Sequence, residues 1–355
     1  MKRFARIGIY AAFWFILFPI TGNAQTSKGL FETDSVLQLT LSGNIRELLN
    51  DRAENPQYHS LTVLYKKEDG NTFSIIAEAK TRGHFRKLKE NCYYPPLQLH
   101  FKKSDTLNNS VFKDQQKIKL VMPCQGDDYV IREWLVYKLY NLVTPKSFSA
   151  RLTRVTLADT KNEKTTAPFY GILLEEESQM ARRNNDIALS YKTTPDKTEQ
   201  DAFLKMAVFQ YLIGNTDWSV QYLQNIKLIA PDSTSIPTVV PYDFDHAGIV
   251  NAPYAKPPEE LEMSSVRERR YRGYCMEDMK KFDSVIALYN SLKVNIYKLY
   301  TGCTLLDDKY KKATVKYLDA FYATINNPAE MQKEFGYPCD KKGTGNVVIK
   351  GLRED

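Results

Sequence analysis

The stretch from Tyr211 to Gly248, YLIGNTDWSVQYLQNIKLIAPDSTSIPTVVPYDFDHAG, constrains the fold of this chain more than any other. A helix that is apolar on several faces leads into Asp217, and such a helix belongs in a core. Asn225 opens the strand-like run NIKLIA, Pro231-Asp232-Ser233 makes a turn, and IPTVVPYDFD returns as a second strand. The chain thus delivers an acid, an amide and the Asp243-Phe244-Asp245 cluster to the ends of short elements that fold back on one another. Hard oxygen donors in that order suit Mg²⁺ and a phosphoryl group in transfer.

With 355 residues, 43% hydrophobic and 26% charged, the chain can bury a large core as one domain or two lobes. No sequence repeat or long low-complexity tract is present, which argues against a disordered chain or a solenoid. Lys2, Arg3 and Arg6, the apolar run Ile7 to Ile20 and the small residues Gly22 and Ala24 read as a signal peptide over 1–24. An uncleaved membrane anchor is the alternative, but the apolar run is short for a span. Without those three cations the net charge of +7 becomes +4, too weak to point to nucleic acid. The denser run Val266 to Tyr274, VRERRYRGY, either meets a phosphate or acidic partner or forms a solvated face, and the second is commoner. Cys92, Cys124, Cys275, Cys303 and Cys339 permit two disulfides and one thiol in an oxidising compartment. Their spacing and a total of four His make a zinc site improbable.

Alternating apolar residues predict strands at Val36 to Leu41, Leu61 to Tyr65, Phe73 to Ala79, Pro96 to Phe101 and Ile118 to Met122. Asp69-Gly70 marks a hairpin turn. A helix from Asp128 to Leu142 follows, with Asp127 and Asp128 at its N-terminus, then strands at Arg151 to Ala158 and Phe169 to Glu175. Helices are predicted from Thr198 to Ile213, Met276 to Tyr300 and Asp307 to Ile325. The resulting plan is α+β and bilobal: a mainly β N-terminal lobe with one helix over 25–176, a mainly helical lobe over 177–340, and a flexible tail over 341–355.

The segments TRGHFR (Thr81 to Arg86), KIKLVMP (Lys117 to Pro123), DDYVIREWLVYKLY (Asp127 to Tyr140), FYGILLEE (Phe169 to Glu176), GNTDWSVQYLQNIKL and VPYDFD resemble those of the CotH-like atypical kinases, with a more distant similarity to HipA-type kinases. The resemblance spans Thr81 to Gly248 and implies a protein-kinase-like bilobal fold that uses ATP with Mg²⁺ or Mn²⁺. It implies Asp217 as the catalytic aspartate, Asn225 and Asp243 as metal ligands, and Asp245 as a third ligand or a support. Lys119 would hold the ATP phosphates, oriented by Glu133; Lys119 is preferred over Lys117, although alternation permits either. Arg82 would touch phosphate, and the backbone around Glu175 would meet the adenine. The chain departs from ordinary kinases in having a single glycine in Arg82-Gly83-His84 and Asn215-Thr216-Asp217 in place of His-Arg-Asp.

Each residue also has a plainer reading: Asp217 as a turn cap, Asp243 and Asp245 as strand ends or ligands of a structural cation, Lys119 and Glu133 as a surface pair, Trp218 as packing. Three functions stay open. The first is an exported kinase, periplasmic or extracellular, acting on a secreted protein or glycan hydroxyl with no stable membrane insertion. The second is an exported binding module without catalysis. The third is a glycosidase using Asp217 and Asp243 as paired carboxylates.

Overall fold

The computed structural model describes residues 29–67 and 70–340. The expected signal peptide, the tail over 341–355 and Asp69 of the expected hairpin turn lie outside them. The N-terminal half contains β1 (Leu37–Gly43), α1 (Ile45–Asn50), β2 (His59–Lys66), β3 (Thr72–Thr81), β4 (Leu97–His100), α2 (Asp105–Asn108), β5 (Lys117–Val121), α3 (Asp127–Val143), β6 (Ala150–Asp159), β7 (Lys164–Thr165) and β8 (Phe169–Leu174). The C-terminal half contains α4 (Glu177–Arg183), β9 (Ile187–Leu189), α5 (Gln200–Ile213), β10 (Ile226–Ala230), β11 (Thr238–Pro241), α6 (Asp283–Thr301), α7 (Asp308–Ile325) and α8 (Pro328–Phe335).

The predicted strands and the helix over α3 form close to their expected bounds, because period-2 and continuous apolar patterns are local signals. Leu39 and Leu41, Leu61 and Val63, and Ile118 and Leu120 send alternate side chains into one buried cluster. The expected bilobal kinase-like fold does not form. β1 pairs in parallel with β6, from Leu37 opposite Thr153 to Gly43 opposite Asp159. This closes β1-β2-β3-β4-β5-β8-β6 into a seven-stranded barrel, with β7 paired to β6 outside the ring.

The barrel is also not a lobe apart. Val121, Leu152, Ile172 and Leu174 use the opposite strand phase, facing out of the barrel into the second core cluster. That cluster contains α3, α5, the sheet β11-β10-β9 and the C-terminal helices. Strands β5, β8 and β6 are therefore buried on both faces over part of their length, and β8, FYGILL, is accordingly apolar almost throughout. Helix α5 buries residues on all sides, from Phe203 to Ile213.

Helix α6 begins at Asp283, later than the expected Met276, because a 3-10 turn over Met279–Phe282 precedes it. Disulfides join Cys92 to Cys124 and Cys275 to Cys339, leaving Cys303 as a free thiol. Among the described residues, no helix is long and apolar enough to cross a membrane.

Candidate functional site

Where the outer face of β5 meets the turns after α5 and β11 there is a cavity of about 310 Å³. Its lining includes Lys119, Arg86, Asp217, Asn225, Asp243 and Asp245.

Asp217 is placed by the way α5 ends. Gly214 adopts φ 66° as the left-handed cap, a conformation glycine reaches without the Cβ penalty. Asn215 Oδ1 then accepts the Asp217 N–H at 3.1 Å, and Trp218 Nε1–H donates to the Asn215 carbonyl at 3.2 Å. Arg272 donates to the carbonyls of Thr216 and Trp218 and clamps the turn from outside. The basic run Val266 to Tyr274 is therefore neither a solvated face nor, at Arg269 and Arg272, free for a partner. Arg269 lies 3.6 Å from the centroid of the Tyr317 ring and donates to the Leu212 carbonyl.

Asn225 sits at φ 51° and donates from Nδ2 to Asp217 Oδ2 at 2.9 Å and to the Asp217 carbonyl at 2.8 Å. Its own carbonyl accepts the Tyr242 N–H at 3.0 Å, tying it to the residue before Asp243. Asp243 follows β11 at φ 63°, and its N–H donates to the Tyr137 hydroxyl of α3 at 2.9 Å. Phe244 turns into the core against Tyr137 and Phe209. That inward turn puts Asp243 and Asp245 on the opposite side, toward the cavity.

Three carboxylates and two buried cations line this space, and a fourth carboxylate, Glu133, lies buried behind Arg86. Lys119 Nζ lies 3.2 Å from Asp243 Oδ1. Arg86 donates from Nε to Asp245 Oδ2 at 2.7 Å and from a terminal nitrogen to Glu133 Oε2 at 2.9 Å. The hydrogen bond to Glu133 thus comes from Arg86, where Lys119 was expected. Burial pushes Glu133 up to about 7 against the pull of Arg86. Burial also raises Asp217, with His246 opposing. For Asp245, burial is outweighed by Arg86 and His246, which hold its carboxyl well below the usual range.

Arg82 lines the cavity mouth and donates to Gln98 Oε1 at 3.0 Å. Glu175 does not line it: its carboxylate pairs with Arg183 at 3.0 Å and accepts the Ser149 N–H at 2.9 Å. Lys117 is exposed at the start of β5, whereas Lys119 is buried and faces the acids. Sequence reasoning missed Arg86 and His246. Arg86 stood in the segment TRGHFR, but nothing local shows that its partners come from two remote segments.

Among the described residues, no group of three or more His, Cys, Asp or Glu is arranged to hold a metal ion. No family model matches the chain, and no curated protein matches it. Distant structural neighbours include two bacterial proteins. One is the Helicobacter pylori proinflammatory kinase CtkA, with TM-score 0.41, 11% identity, and coverage of 69% of this chain and 90% of that one. The other is HipA, in a complex of the Shewanella oneidensis MR-1 HipA–HipB toxin–antitoxin system with its operator DNA. It gives TM-score 0.31, 9% identity, and coverage of 82% of this chain and 66% of that one.

Proposed function

We propose that this chain is an exported phosphotransferase that moves the terminal phosphoryl group of a Mg²⁺-bound nucleoside triphosphate to a protein or glycan hydroxyl. The observation that carries this reading is the convergence on one cavity of Lys119 from β5 with Asp217, Asn225 and Asp243 from the stretch between α5 and the turn after β11. Phosphoryl transfer needs little beyond such positioning and charge neutralisation.

The donor set fits a metal that arrives with its phosphates. Mg²⁺ is usually held by one or two carboxylates, substrate oxygens and water, so a complete protein cage is not required. Asp243, with a third of its side chain exposed, and the side-chain amide oxygen Oδ1 of Asn225 would hold it. Bound there, the metal would neutralise charge developing on the phosphoryl oxygens. Asp217 would accept the proton of the attacking hydroxyl, and burial raises its basicity for that task. Asn225 fixes the Asp217 carboxylate through the Nδ2 hydrogen bond. Lys119 would leave Asp243 for the phosphates. Two disulfides fit an oxidising compartment, which supports export.

The single glycine of Arg82-Gly83-His84 favours a second reading, a module that holds the nucleotide without transferring phosphate. Thermal unfolding with Mg²⁺ or Mn²⁺ and ATP, beside Asp243→Ala, tests both. A metal-dependent rise in Tm that the variant loses, together with ATP consumption, is expected. A rise without turnover would establish the binding module, and no rise at millimolar ATP would overturn nucleotide binding.

A further inference from the structure

The deepest cation of the site is Arg86, which sequence reasoning assigned no role. Its side chain is 8% exposed and meets carboxylates from two remote segments: Glu133 of α3, and Asp245 after β11. A terminal nitrogen also lies 4.0 Å from Asp243 Oδ1. A guanidinium can bridge several carboxylates because its donors form a rigid planar fork, whereas an ammonium is a point charge.

The segment that carries Arg86 is fixed at both ends. Arg52 donates to the carbonyls of Lys87 at 3.1 Å and Cys92 at 2.9 Å. Asn91 Nδ2 donates to the Phe85 carbonyl at 2.9 Å. The Cys92–Cys124 disulfide then ties the segment to the connection between β5 and α3. Phe85, His246 and Tyr254 pack ring against ring beside it, with centroids 5.6–5.8 Å apart. So much anchoring exceeds what a surface loop between two strands needs.

Lys119 cannot fix the acids during turnover if it moves to the phosphates, because its hydrogen-bond partner here is Asp243. Arg86 keeps Asp245 and Glu133 whichever group Lys119 contacts. We propose that Arg86 is the positioning residue of this site: held by Glu133, it fixes the Asp243–Asp245 turn while Lys119 exchanges Asp243 for phosphate. The proposal rests on the phosphotransferase reading above.

The test measures kcat and KM for Mg·ATP consumption in the full chain, in Arg86→Lys, in Glu133→Gln and in the double variant, each checked for folding by melting. Arg86→Lys is expected to lower kcat about 10–100-fold, as loss of an outer-sphere partner does, and to leave KM within about threefold. The double variant should be no slower than the slower single variant, because both changes break one relay. A wild-type kcat in Arg86→Lys, losses that multiply, or an effect confined to KM would overturn the role of Arg86 alone. A wild-type chain that neither binds nor consumes Mg·ATP would overturn the phosphotransferase reading and this role together. If Arg86→Lys does not fold, Glu133→Gln, which keeps the Arg86–Asp245 pair, decides the question by the same kcat criterion.

Discussion

Lys119 Nζ and Asp243 Oδ1 lie 3.2 Å apart, joining the outer face of the barrel to the turn that follows β11. The Lys119 side chain is 10% exposed, so removing its partner leaves a desolvated ammonium. Asp243→Ala is expected to lower the unfolding free energy by about 1–3 kcal/mol, less than for a fully buried pair because Asp243 reaches solvent. Lys119→Met keeps most of the buried stem and should cost less, since Asp243 retains Arg86 nearby. Urea midpoints of both variants measure this. An unchanged Asp243→Ala midpoint would contradict the ion pair.

Stability should depend on pH through Glu133. Its folded value is pushed up to about 7 by burial, above an ordinary 4.5. A carboxyl raised in this way contributes stability that is complete below its unfolded value and lost as pH climbs through the folded one. Asp217, also raised by burial, acts with the same sign. Asp245 acts oppositely, since its depressed value adds stability above the ordinary carboxylate range that disappears in acid. Unfolding free energy should therefore fall between about pH 5 and 7, by up to ~1.4 kcal/mol per unit from Glu133. Glu133→Gln should flatten that slope. The same pH dependence of the unfolding free energy in wild type and Glu133→Gln, from urea titrations at pH 5, 6 and 7, would show that Glu133 does not titrate there.

Local pattern made the strands of the barrel legible, but not its closure. Leu37 and Thr153 pair across more than a hundred residues, and no periodicity in β1 names β6 as its neighbour. The same limit applies in the site. Asp217, Asn225 and Asp243 share one contiguous stretch whose turns and strands bring them together. Arg86 finds Glu133 47 residues away and Asp245 159 residues away. Lys117 and Lys119 share a strand face by spacing, and burial alone distinguishes them. The short α4 and β9 gave too few residues for a period to register.

The cysteines offer a check on both fold and compartment. With two disulfides and Cys303 free, a denatured, unreduced chain should show one reactive thiol. Replacing Cys92 and Cys124 by Ser opens a loop with a sequence separation of 32 and should cost about 3–4 kcal/mol on a chain-entropy model. The segment bearing Arg86 should then become the first site of limited proteolysis. Cleavage elsewhere first, or five reactive thiols, would contradict this pairing.

Gly214 connects core packing to the Asp217 turn. At φ 66° a non-glycine residue is strained, and a Cβ there would lie 2.1 Å from the Tyr317 hydroxyl oxygen. Gly214→Ala is expected to cost about 2–4 kcal/mol, combining strain with overpacking. The Tyr317 hydroxyl is buried without a hydrogen-bond partner, so Tyr317→Phe alone should cost little. Its ring, and with it the stacking of Arg267 and Arg269, is retained. In the double variant the clash disappears and the strain remains, so part of the Gly214→Ala loss should return. A double-mutant cycle from chemical denaturation reads that coupling directly. If the two losses add, the hydroxyl is not what excludes a side chain at 214. If they couple while the double variant still fails to consume Mg·ATP, the left-handed backbone at Gly214 is itself what Asp217 needs to reach the cavity.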